Sequence, residues 1–381
     1  MTRQELTYWV ALALMPGVRT RRKNDLYAKC YVHSPRLSIV ELFERRSLWG
    51  ELGLSASEQE LFKAAHSQLA SHSFLVEDLL SQGFDITPVD SPEYPRTLKA
   101  NLGVSAPTVL FSKGNKQLLE EPSVAIVGSR KAGELSLLFT RNIAKRSAKQ
   151  GKTVVSGFAK GVDREALDAT LASGGRSIIV LPQGILTFSS GFKAYFRHVA
   201  HGRLLVLSAF APTAPWSVEL AMARNPIIYG MASEIYVAET GETGGTWAGA
   251  VDGLRKGRAV FVRWPEPGED NANKLLAQRG ARAVGMEGEP VDVPSEELKT
   301  KEQREAEDID RRILSVLKSQ ERASLRDLRE RTGLGWSDAK MKRHLEGMPQ
   351  VERLKDKSRV FYSLKGRRQS DLFSQAGEPI A

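Results

Sequence analysis

Short apolar runs alternate with helical stretches between residues 86 and 293, and this alternation limits the fold more than any other feature of the chain. Near-continuous apolar strands separated by amphipathic helices are typical of a mostly parallel sheet that helices cover on both faces. The sequence therefore predicts an α/β fold over residues 86–295. The predicted strands are Val124–Val127, Thr153–Ser156, Ser177–Leu181, Leu204–Leu207, Ile235–Ala238 and Ala259–Val262, and the predicted helices are Glu134–Gln150, Asp163–Ser173, Phe192–Ala200, Ser217–Ala223 and Gly245–Arg255.

The first predicted strand ends at Gly128-Ser129-Arg130, directly before a predicted helix. In a Rossmann-like sheet, ligands bind beyond the carboxyl ends of the strands. A helix N-terminus there offers unpaired N–H donors and a positive dipole end, and a guanidinium contacts phosphate through two nitrogens. The turn is neither a Walker A loop nor a three-glycine dinucleotide fingerprint. It predicts a phosphate ligand, free or in a nucleic-acid backbone; a tight turn with an exposed arginine is the alternative.

The charge of the chain is basic and unevenly placed. Lysine and arginine number 55 against 45 acidic residues, a net charge of +10. Residues 1–90 carry a net charge of −1, whereas residues 91–300 carry +6 and residues 301–381 carry +5. This excess indicates contact with a polyanion in the central and C-terminal parts, with a basic surface kept for solubility as the alternative. The one cysteine, Cys30, and the lack of a membrane-length apolar run predict a cytoplasmic protein with no membrane contact.

Two smaller domains are expected beside the sheet. Residues 1–85 predict a small helical domain of the SAM or helix-hairpin-helix type, in which the basic run Arg19 to Lys23 forms a loop, either solvated or contacting phosphate. Residues 296–307 are predicted as a linker, 308–365 as a winged helix of three helices and a hairpin, and 366–381 as a disordered tail. The predicted elements are Gln4–Ala13, Ile39–Phe43, Ser57–Leu69, Phe74–Ser81, Ile309–Leu317, Ser324–Arg331, Asp338–Leu345, Val351–Leu354 and Arg359–Leu364.

Several motifs together resemble the DNA-processing protein A (DprA/Smf) family. They are the Tyr94-Pro95 lead-in, the Gly-Ser-Arg turn, the segment from Val154 to Asp163, the pair Arg224-Asn225 and the run Gly244-Gly245-Thr246. The resemblance implies single-stranded DNA binding at the Gly-Ser-Arg turn and dimerisation through the Rossmann-like domain. It also implies delivery of a RecA-type recombinase onto DNA during natural transformation or DNA recombination.

The candidate DNA or phosphate contacts follow from this resemblance and from the strand exits. They are Gly128, Ser129, Arg130, Lys131, Ser156, Gly157, Lys160, Arg224, Asn225, Gly245 and Thr246. A second set would flank a duplex if the winged helix reads DNA; a protein-binding or merely solvated face is the alternative. That set is Lys340, Lys342, Arg343, Lys355, Lys357 and Arg359.

Three positions depart from the family pattern. Pro226 stands where the family has a second arginine, Leu167 where it has histidine, and Ala209 where a glutamate is common. The segment after Gly184 also lacks the Tyr-Pro pair that is usual in the family. The absence of these polar groups is expected to weaken or reshape the pocket.

The resemblance thus implies a DNA-binding recombination mediator rather than an enzyme. It contains no convincing catalytic constellation, and we expect no cofactor and no metal, since His198 and His201 have helical spacing but no carboxylate or thiolate near them. One alternative is a nucleotide-sensing or nucleotide-hydrolysing Rossmann protein that uses Arg224 and Glu239. Another is a DprA-like scaffold acting in phage defence.

Overall fold

The computed structural model describes residues 1–320, 322–356 and 359–366, apart from the side chains of Lys301 and Glu302. Contacts divide the chain into two compact units, one from Met1 to Pro294 and one from Ser295 onward. The predicted boundary at residue 85 does not separate two cores, because apolar side chains of the N-terminal helices and of the sheet belong to one continuous buried cluster.

The described part of the first unit contains a nine-stranded sheet in the order β1-β2-β6-β5-β4-β3-β7-β8-β9. The seven strands β3 to β9 pair parallel with one another, while β1 and β2 pair antiparallel with each other and β2 pairs antiparallel with β6. The strands are β1 Asp85–Pro88, β2 Val109–Gly114, β3 Ser123–Val127, β4 Thr153–Ser156, β5 Ser177–Val180, β6 Leu204–Ser208, β7 Glu234–Val237, β8 Ala259–Arg263 and β9 Arg282–Val284.

All six predicted strands are present, and the mostly parallel Rossmann-like sheet is confirmed. Side chains on β3 alternate between two apolar clusters: Val124 and Ile126 pack with Phe139 and Ile143 on one face, and Val127 packs on the other. Strand order reverses between β3 and β7, since successive strands extend the sheet from β3 to one side and then from β7 to the other. In open α/β sheets a crevice for ligands forms at such a reversal.

Helices flank this sheet and form the N-terminal segment. The structure differs from the prediction at two places. The segment predicted as one helix, Phe192–Ala200, is divided between α9 (Ser189–Ala194) and α10 (Phe196–Ala200), and α11 (Val218–Met231) continues through Pro226. Proline removes one helical hydrogen bond, and the buried residues Ile227, Ile228 and Tyr229 hold the last turns in place. The helices are α1 Arg3–Leu14, α2 Thr20–Val32, α3 Ile39–Glu44, α4 Ala56–Ser67, α5 Leu69–Ser81, α6 Arg96–Leu102, α7 Glu134–Lys149, α8 Val162–Ala172, α9 Ser189–Ala194, α10 Phe196–Ala200, α11 Val218–Met231, α12 Gly245–Arg255 and α13 Asn273–Gln278.

Helix α2 corrects the predicted basic loop near the N-terminus. Lys23 is buried and donates hydrogen bonds to the carbonyls of Ala13 (2.7 Å) and Met15 (2.8 Å), acceptors that the end of α1 leaves unpaired. Arg22 forms an ion pair with Glu58 at 2.7 Å. These two cations therefore serve the fold, and the interpretation of them as phosphate contacts is wrong. Burial lowers the pKa of Lys23 to about 8.

The second unit contains four helices and a hairpin within its described residues. Helices Ser295–Leu298 and Lys301–Ser319 occupy most of the predicted linker 296–307, because Thr300 and Gln303 form a capping box that starts the long helix early. The apolar core includes Leu317, Leu328 and Tyr362. The elements are α14 Ser295–Leu298, α15 Lys301–Ser319, α16 Leu325–Thr332, α17 Asp338–Gly347, β10 Val351–Asp356 and β11 Arg359–Leu364. The predicted tail lies outside the described residues beyond Gly366.

Candidate functional site

The turn after β3 is fastened to its neighbours by short polar contacts. The Ser129 N–H donates to the Glu239 carbonyl at 3.0 Å, and the Thr246 hydroxyl donates to the Gly128 carbonyl at 3.2 Å. A Cβ at Gly128 would lie 2.6 Å from the Val162 side chain, so glycine permits the approach of α8. The ends of β3 and β7 and the starts of α8 and α12 therefore meet at this turn.

The start of α7 is occupied from within the protein, which corrects the predicted anion site. The Glu239 carboxylate accepts hydrogen bonds from the Gly133 N–H (3.0 Å) and from the Ser136 hydroxyl (2.8 Å). A carboxylate at a helix N-terminus satisfies the free donors and matches the helix dipole. An outside phosphate at the start of α7 would meet this negative charge, and the contact between Arg130 and an anion stays a prediction.

The turn after β4 lies against the turn after β3. Phe158 has a positive φ of 63° and Gly161 one of 78°. A Cβ at Gly161 would lie 2.4 Å from the Ser129 carbonyl oxygen, and the Val162 N–H donates to that same oxygen at 3.3 Å. Left-handed backbone at a non-glycine residue stores strain and is frequent at functional sites. The two turns thus form one rigid edge.

Arg224, a predicted DNA contact, is buried beneath this edge. The residue is 3% exposed, and its Nη2 lies 3.3 Å from Asp163 Oδ2. The backbone N–H groups of Gly157 and Ala159 also donate to that carboxylate. Burial raises the pKa of the Asp163 carboxyl, and Arg224 and the two N–H groups oppose that rise. Arg224 is therefore held in a buried ion pair, and its predicted contact with DNA stays a prediction.

The guanidinium of Arg224 is only partly satisfied. Within the described part of the chain, its Nε and Nη1 have no hydrogen-bond partner. An unpaired buried donor costs about 1–3 kcal/mol. Pairing either nitrogen with an acceptor would therefore stabilise the folded protein.

Two depressions flank the edge formed by the turns. The first, which we name the inner cleft, has a volume of about 380 Å³ and lies at the β3/β7 reversal; it is lined by residues that include Gly128, Ser129, Arg130, Asp163, Val218, Met222, Arg224, Asn225, Thr243, Gly245 and Thr246. The second, which we name the outer groove, has a volume of about 460 Å³ and is lined by residues that include Arg130, Lys131, Gly157, Phe158, Lys160, Gln183, Phe188, Trp216 and Arg224.

The outer groove carries cations without internal partners. Arg130, Lys131 and Lys160 are exposed, and none of them forms an ion pair with another described residue. Trp216 at the same groove is 50% exposed. A groove of free cations beside an exposed aromatic ring is the arrangement that binds single-stranded nucleic acids, in which the cations contact phosphates and the ring contacts bases.

An aromatic cluster supports the groove from below. The Phe158 ring packs edge-on against Phe188 and Tyr195, with ring centroids 4.8 and 5.8 Å apart. The Arg164 guanidinium lies 3.8 Å from the Phe158 ring centroid, an attractive cation–π contact. These contacts hold the strained Phe158 backbone in place.

The structure distributes the predicted site residues over both depressions. Ser156 lies beneath them, 1% exposed, with its hydroxyl donating to the Ile126 carbonyl at 3.4 Å. Sequence reasoning missed Phe158, Trp216 and the apolar pair Val218 and Met222. The sequence gives no signal that separates an exposed tryptophan from a core tryptophan, whereas Phe158 stands inside the second of the family motifs.

The three departures from the family pattern lie away from both depressions. Leu167 is 1% exposed and packs in the core. Ala209 and Pro226 line a different cavity, of about 830 Å³, beside α6 and α12. The expectation that these substitutions remove polar groups from the pocket is therefore wrong for this site.

The basic residues of the second unit lie on α17 and the hairpin. Lys340 Nζ lies 4.5 Å from the Trp336 ring centroid, and Lys342 lies 3.9 Å from Glu346. Arg343 lines a depression with Trp336 and Lys340, while Lys355 and Arg359 are exposed on the two strands. Lys357 lies outside the described residues.

Neither a metal-ligand cluster nor a membrane-spanning helix is found among the described residues. They contain no group of three or more histidine, cysteine, aspartate or glutamate side chains that could hold a metal ion. No helix among them has the length and apolar character needed to cross a membrane.

The sheet, its reversal point and the joined turns define a Rossmann-like protein with a cationic groove at the carboxyl edge of its parallel strands. Its sequence from residue 85 to 291 matches the family model described as DNA recombination-mediator protein A. The chain belongs to that family, and the predicted resemblance is confirmed.

Individual relatives agree with this membership. The chain is 33% identical to the DNA processing protein DprA of Streptococcus pneumoniae over 185 residues, 47% of this chain and 64% of the relative. It is 29% identical to DprA of Bacillus subtilis, over 53% of this chain and 69% of the relative. The X-ray structure of the Streptococcus pneumoniae protein superposes with a TM-score of 0.55 at 25% identity, covering 74% of this chain and 95% of that one.

Proposed function

We propose that this protein binds single-stranded DNA along the outer groove and acts as a recombination mediator. The observation that carries the proposal is the set of three exposed cations, Arg130, Lys131 and Lys160, that have no ion-pair partner among the described residues and share one groove. Because no internal carboxylate neutralises them, their charge is available to an outside polyanion.

The aromatic rings of the groove favour a single strand over a duplex. Trp216 is half exposed beside the cations. In a duplex the faces of the bases are stacked on one another, whereas a single strand can place a base face on an aromatic ring. The groove therefore offers a contact that only unpaired bases can make.

Family membership extends the proposal to partners. On that basis we infer that the protein acts without catalysis, forms a homodimer and delivers a RecA-type recombinase onto the bound strand. Duplex contact by a winged helix in the second unit, through residues such as Lys340 and Arg343, belongs to the same proposal. Nucleotide hydrolysis has less support, because Glu239 caps α7 and Arg224 is ion-paired with Asp163.

A competition experiment tests the groove. Fluorescence anisotropy of labelled oligo-dT should show binding that unlabelled single strands displace more readily than a duplex of the same length. Arg130→Ala and Lys160→Ala should each weaken binding by about 1.5 kcal/mol, roughly tenfold.

Lys149→Ala is the matched control, since Lys149 is exposed at the opposite end of α7 from the site. Equal losses in all three variants would show that net charge rather than the groove determines binding. Unchanged affinity in Arg130→Ala and Lys160→Ala would refute the site.

A further inference from the structure

We propose that a pocket of the second unit binds a segment of this same chain, residues 371–373. The pocket, which we name the α17 pocket, has a volume of about 480 Å³ and lies between α15 and α17; the residues that line it include Asp310, Trp336, Lys340, Arg343, Met348 and Pro349. The segment, Asp371-Leu372-Phe373, lies outside the described residues and belongs to the same unit as the pocket.

One wall of the α17 pocket is apolar. Met348 is 8% exposed and belongs to the core of the second unit, and Trp336 packs against that core while it remains partly exposed. An added Cβ at Gly347 would meet nothing within 4 Å, so the space beside this wall is open. An apolar wall in an open pocket of this volume suits an apolar side chain.

The rim of the α17 pocket carries positive charge. Lys340 and Arg343 are exposed, and neither forms an ion pair with another described residue. Lys340 Nζ lies 4.5 Å from the centroid of the Trp336 ring, so this charge lies beside the apolar wall. Asp310, which also lines the pocket, accepts a hydrogen bond from His344 Nε2 at 2.6 Å. Two cations therefore remain for a carboxylate that enters from outside the pocket.

The described chain ends beside this pocket. The Lys365 N–H donates a hydrogen bond to the Gln350 carbonyl at 3.0 Å, and Gln350 directly follows Pro349, which lines the pocket. Gly366 is the last described residue, and Asp371 follows it by five residues. Five residues span at most about 17 Å when fully extended. The segment therefore starts at the rim of the pocket and has enough chain to enter it.

The chemistry of the segment matches both parts of the pocket. Asp371 supplies a carboxylate for the cations of the rim, and Leu372 and Phe373 supply apolar side chains for the wall. A phenylalanine ring beside Trp336 gains an aromatic pair contact in addition to its burial. Phosphates of a nucleic acid would contact the cations but would leave the apolar wall without a partner. The pocket therefore favours a peptide that is both acidic and apolar.

A segment of the same chain has an advantage over a peptide from another protein. Because residues 367–370 join it to its site, its effective concentration at the pocket is in about the millimolar range. When it is bound, it covers Lys340 and Arg343, the two residues named above for duplex contact. The segment then competes with duplex DNA for these cations, a consequence that rests on the proposed function.

Fluorine NMR of the full chain labelled with 5-fluorotryptophan tests the proposal, with the Trp336 resonance assigned from Trp336→Phe. The double variant Leu372→Ser/Phe373→Ser and a chain that ends at Gly366 should both move this resonance to one new position and leave the other tryptophan resonances in place. Ile380→Ser is the matched control, because it also removes an apolar side chain from residues 367–381, and it should keep the wild-type spectrum.

A synthetic peptide of residues 367–381 supplies the segment from outside. Added at about 1 mM to the chain that ends at Gly366, it should return the Trp336 resonance toward its wild-type position. The same peptide with both serine substitutions, and a peptide of the same composition in scrambled order, should not.

Three results would overturn the proposal. The first is a Trp336 resonance at the same position in wild type, the double variant and the shortened chain. The second is an equal effect of the scrambled peptide, which would assign the pocket to acidic peptides of any sequence. The third is an equal shift of the resonance by duplex DNA in wild type and in the double variant, which would show that the pocket is open in wild type.

Duplex affinity tests the proposed DNA contact separately, in the double variant, which keeps Arg367 and Arg368. If the segment occupies the pocket in about nine-tenths of the molecules, the double variant should bind duplex DNA about tenfold more tightly than wild type. Equal duplex affinities together with a moved Trp336 resonance would support the segment and refute duplex contact through Lys340 and Arg343.

Discussion

Substituting alanine at Gly161 tests whether the turn after β3 and the turn after β4 pack together as one edge of the site. Gly161 has a φ of +78°, and an added Cβ would lie 2.4 Å from the Ser129 carbonyl oxygen and 2.8 Å from that of Arg130. Both clashes involve backbone, which cannot swing aside as a side-chain end can. The turns would have to separate, and the hydrogen bond from Val162 to Ser129 would break.

Gly174 offers a matched control because it has a φ of +74° and an added Cβ there would meet nothing within 4 Å. A left-handed helical backbone costs an alanine about 1–2 kcal/mol. Gly161 has a ψ of −132°, outside that region, so its backbone disfavours a side chain at least as strongly. Only Gly161→Ala adds the clash with backbone, which we expect to bring its total to about 2–5 kcal/mol.

Two assays give the result. Chemical denaturation should show a lower free energy of unfolding for Gly161→Ala than for Gly174→Ala. Anisotropy should show about a tenfold weaker affinity of Gly161→Ala for oligo-dT, since Arg130 and Lys160 shift apart, and little change for Gly174→Ala. If the two variants are equally stable and bind DNA equally well, the turns are not in contact and the reasoning fails.

Three further predictions concern single side chains. Burial lowers the pKa of Lys23 from 10.5 to about 8, so the unfolded chain binds more protons than the folded chain between these pH values. The buried charge therefore lowers the free energy of unfolding by about 3 kcal/mol below pH 8, and this loss disappears as the pH rises toward 10.5. Denaturation at several pH values should show that rise in wild type and its absence in Lys23→Met; equal slopes would contradict it. Glu239→Gln should weaken the cap of α7, which lowers the free energy of unfolding by about 1 kcal/mol and so lowers the melting temperature, and it should leave oligo-dT binding intact. Weaker DNA binding would show that the carboxylate serves the groove instead. Trp216→Ala should reduce oligo-dT affinity by about 1–3 kcal/mol without changing its salt dependence, and Trp216→Phe should restore most of that affinity; full affinity in the alanine variant would exclude stacking on this ring.

The central strands were predictable because their pattern is dominated by apolar residues buried on both faces. Three strands were not predicted, for physical reasons. The edge strand β1 ends in a proline, its neighbour β2 contains Ser112 and Lys113, and the edge strand β9 has only three residues. Helix α2 begins with a polar run, Thr20 to Asp25, that hides its buried side. Local sequence does not show that Lys23 turns inward to the end of α1.

The candidate site was predictable in position but not in the role of each charge. Parallel strands bring their exits to one edge, so Gly128, Gly157 and Gly245 were found from local patterns. The partner of Arg224 is 61 residues away, and the acceptor for the Gly133 N–H is 106 residues away. Such distant pairings decide which cations remain free, and only the folded chain reveals them.

The salt dependence of oligo-dT binding tests the central claim most directly. If Arg130 and Lys160 each neutralise a phosphate, the double variant Arg130→Ala/Lys160→Ala should have a log–log salt slope shallower than wild type by about 1.4, or about 0.7 for each phosphate that is no longer neutralised. The Lys149→Ala control should keep the wild-type slope. A double variant with the wild-type slope would contradict the account, because the outer groove would then not hold the strand.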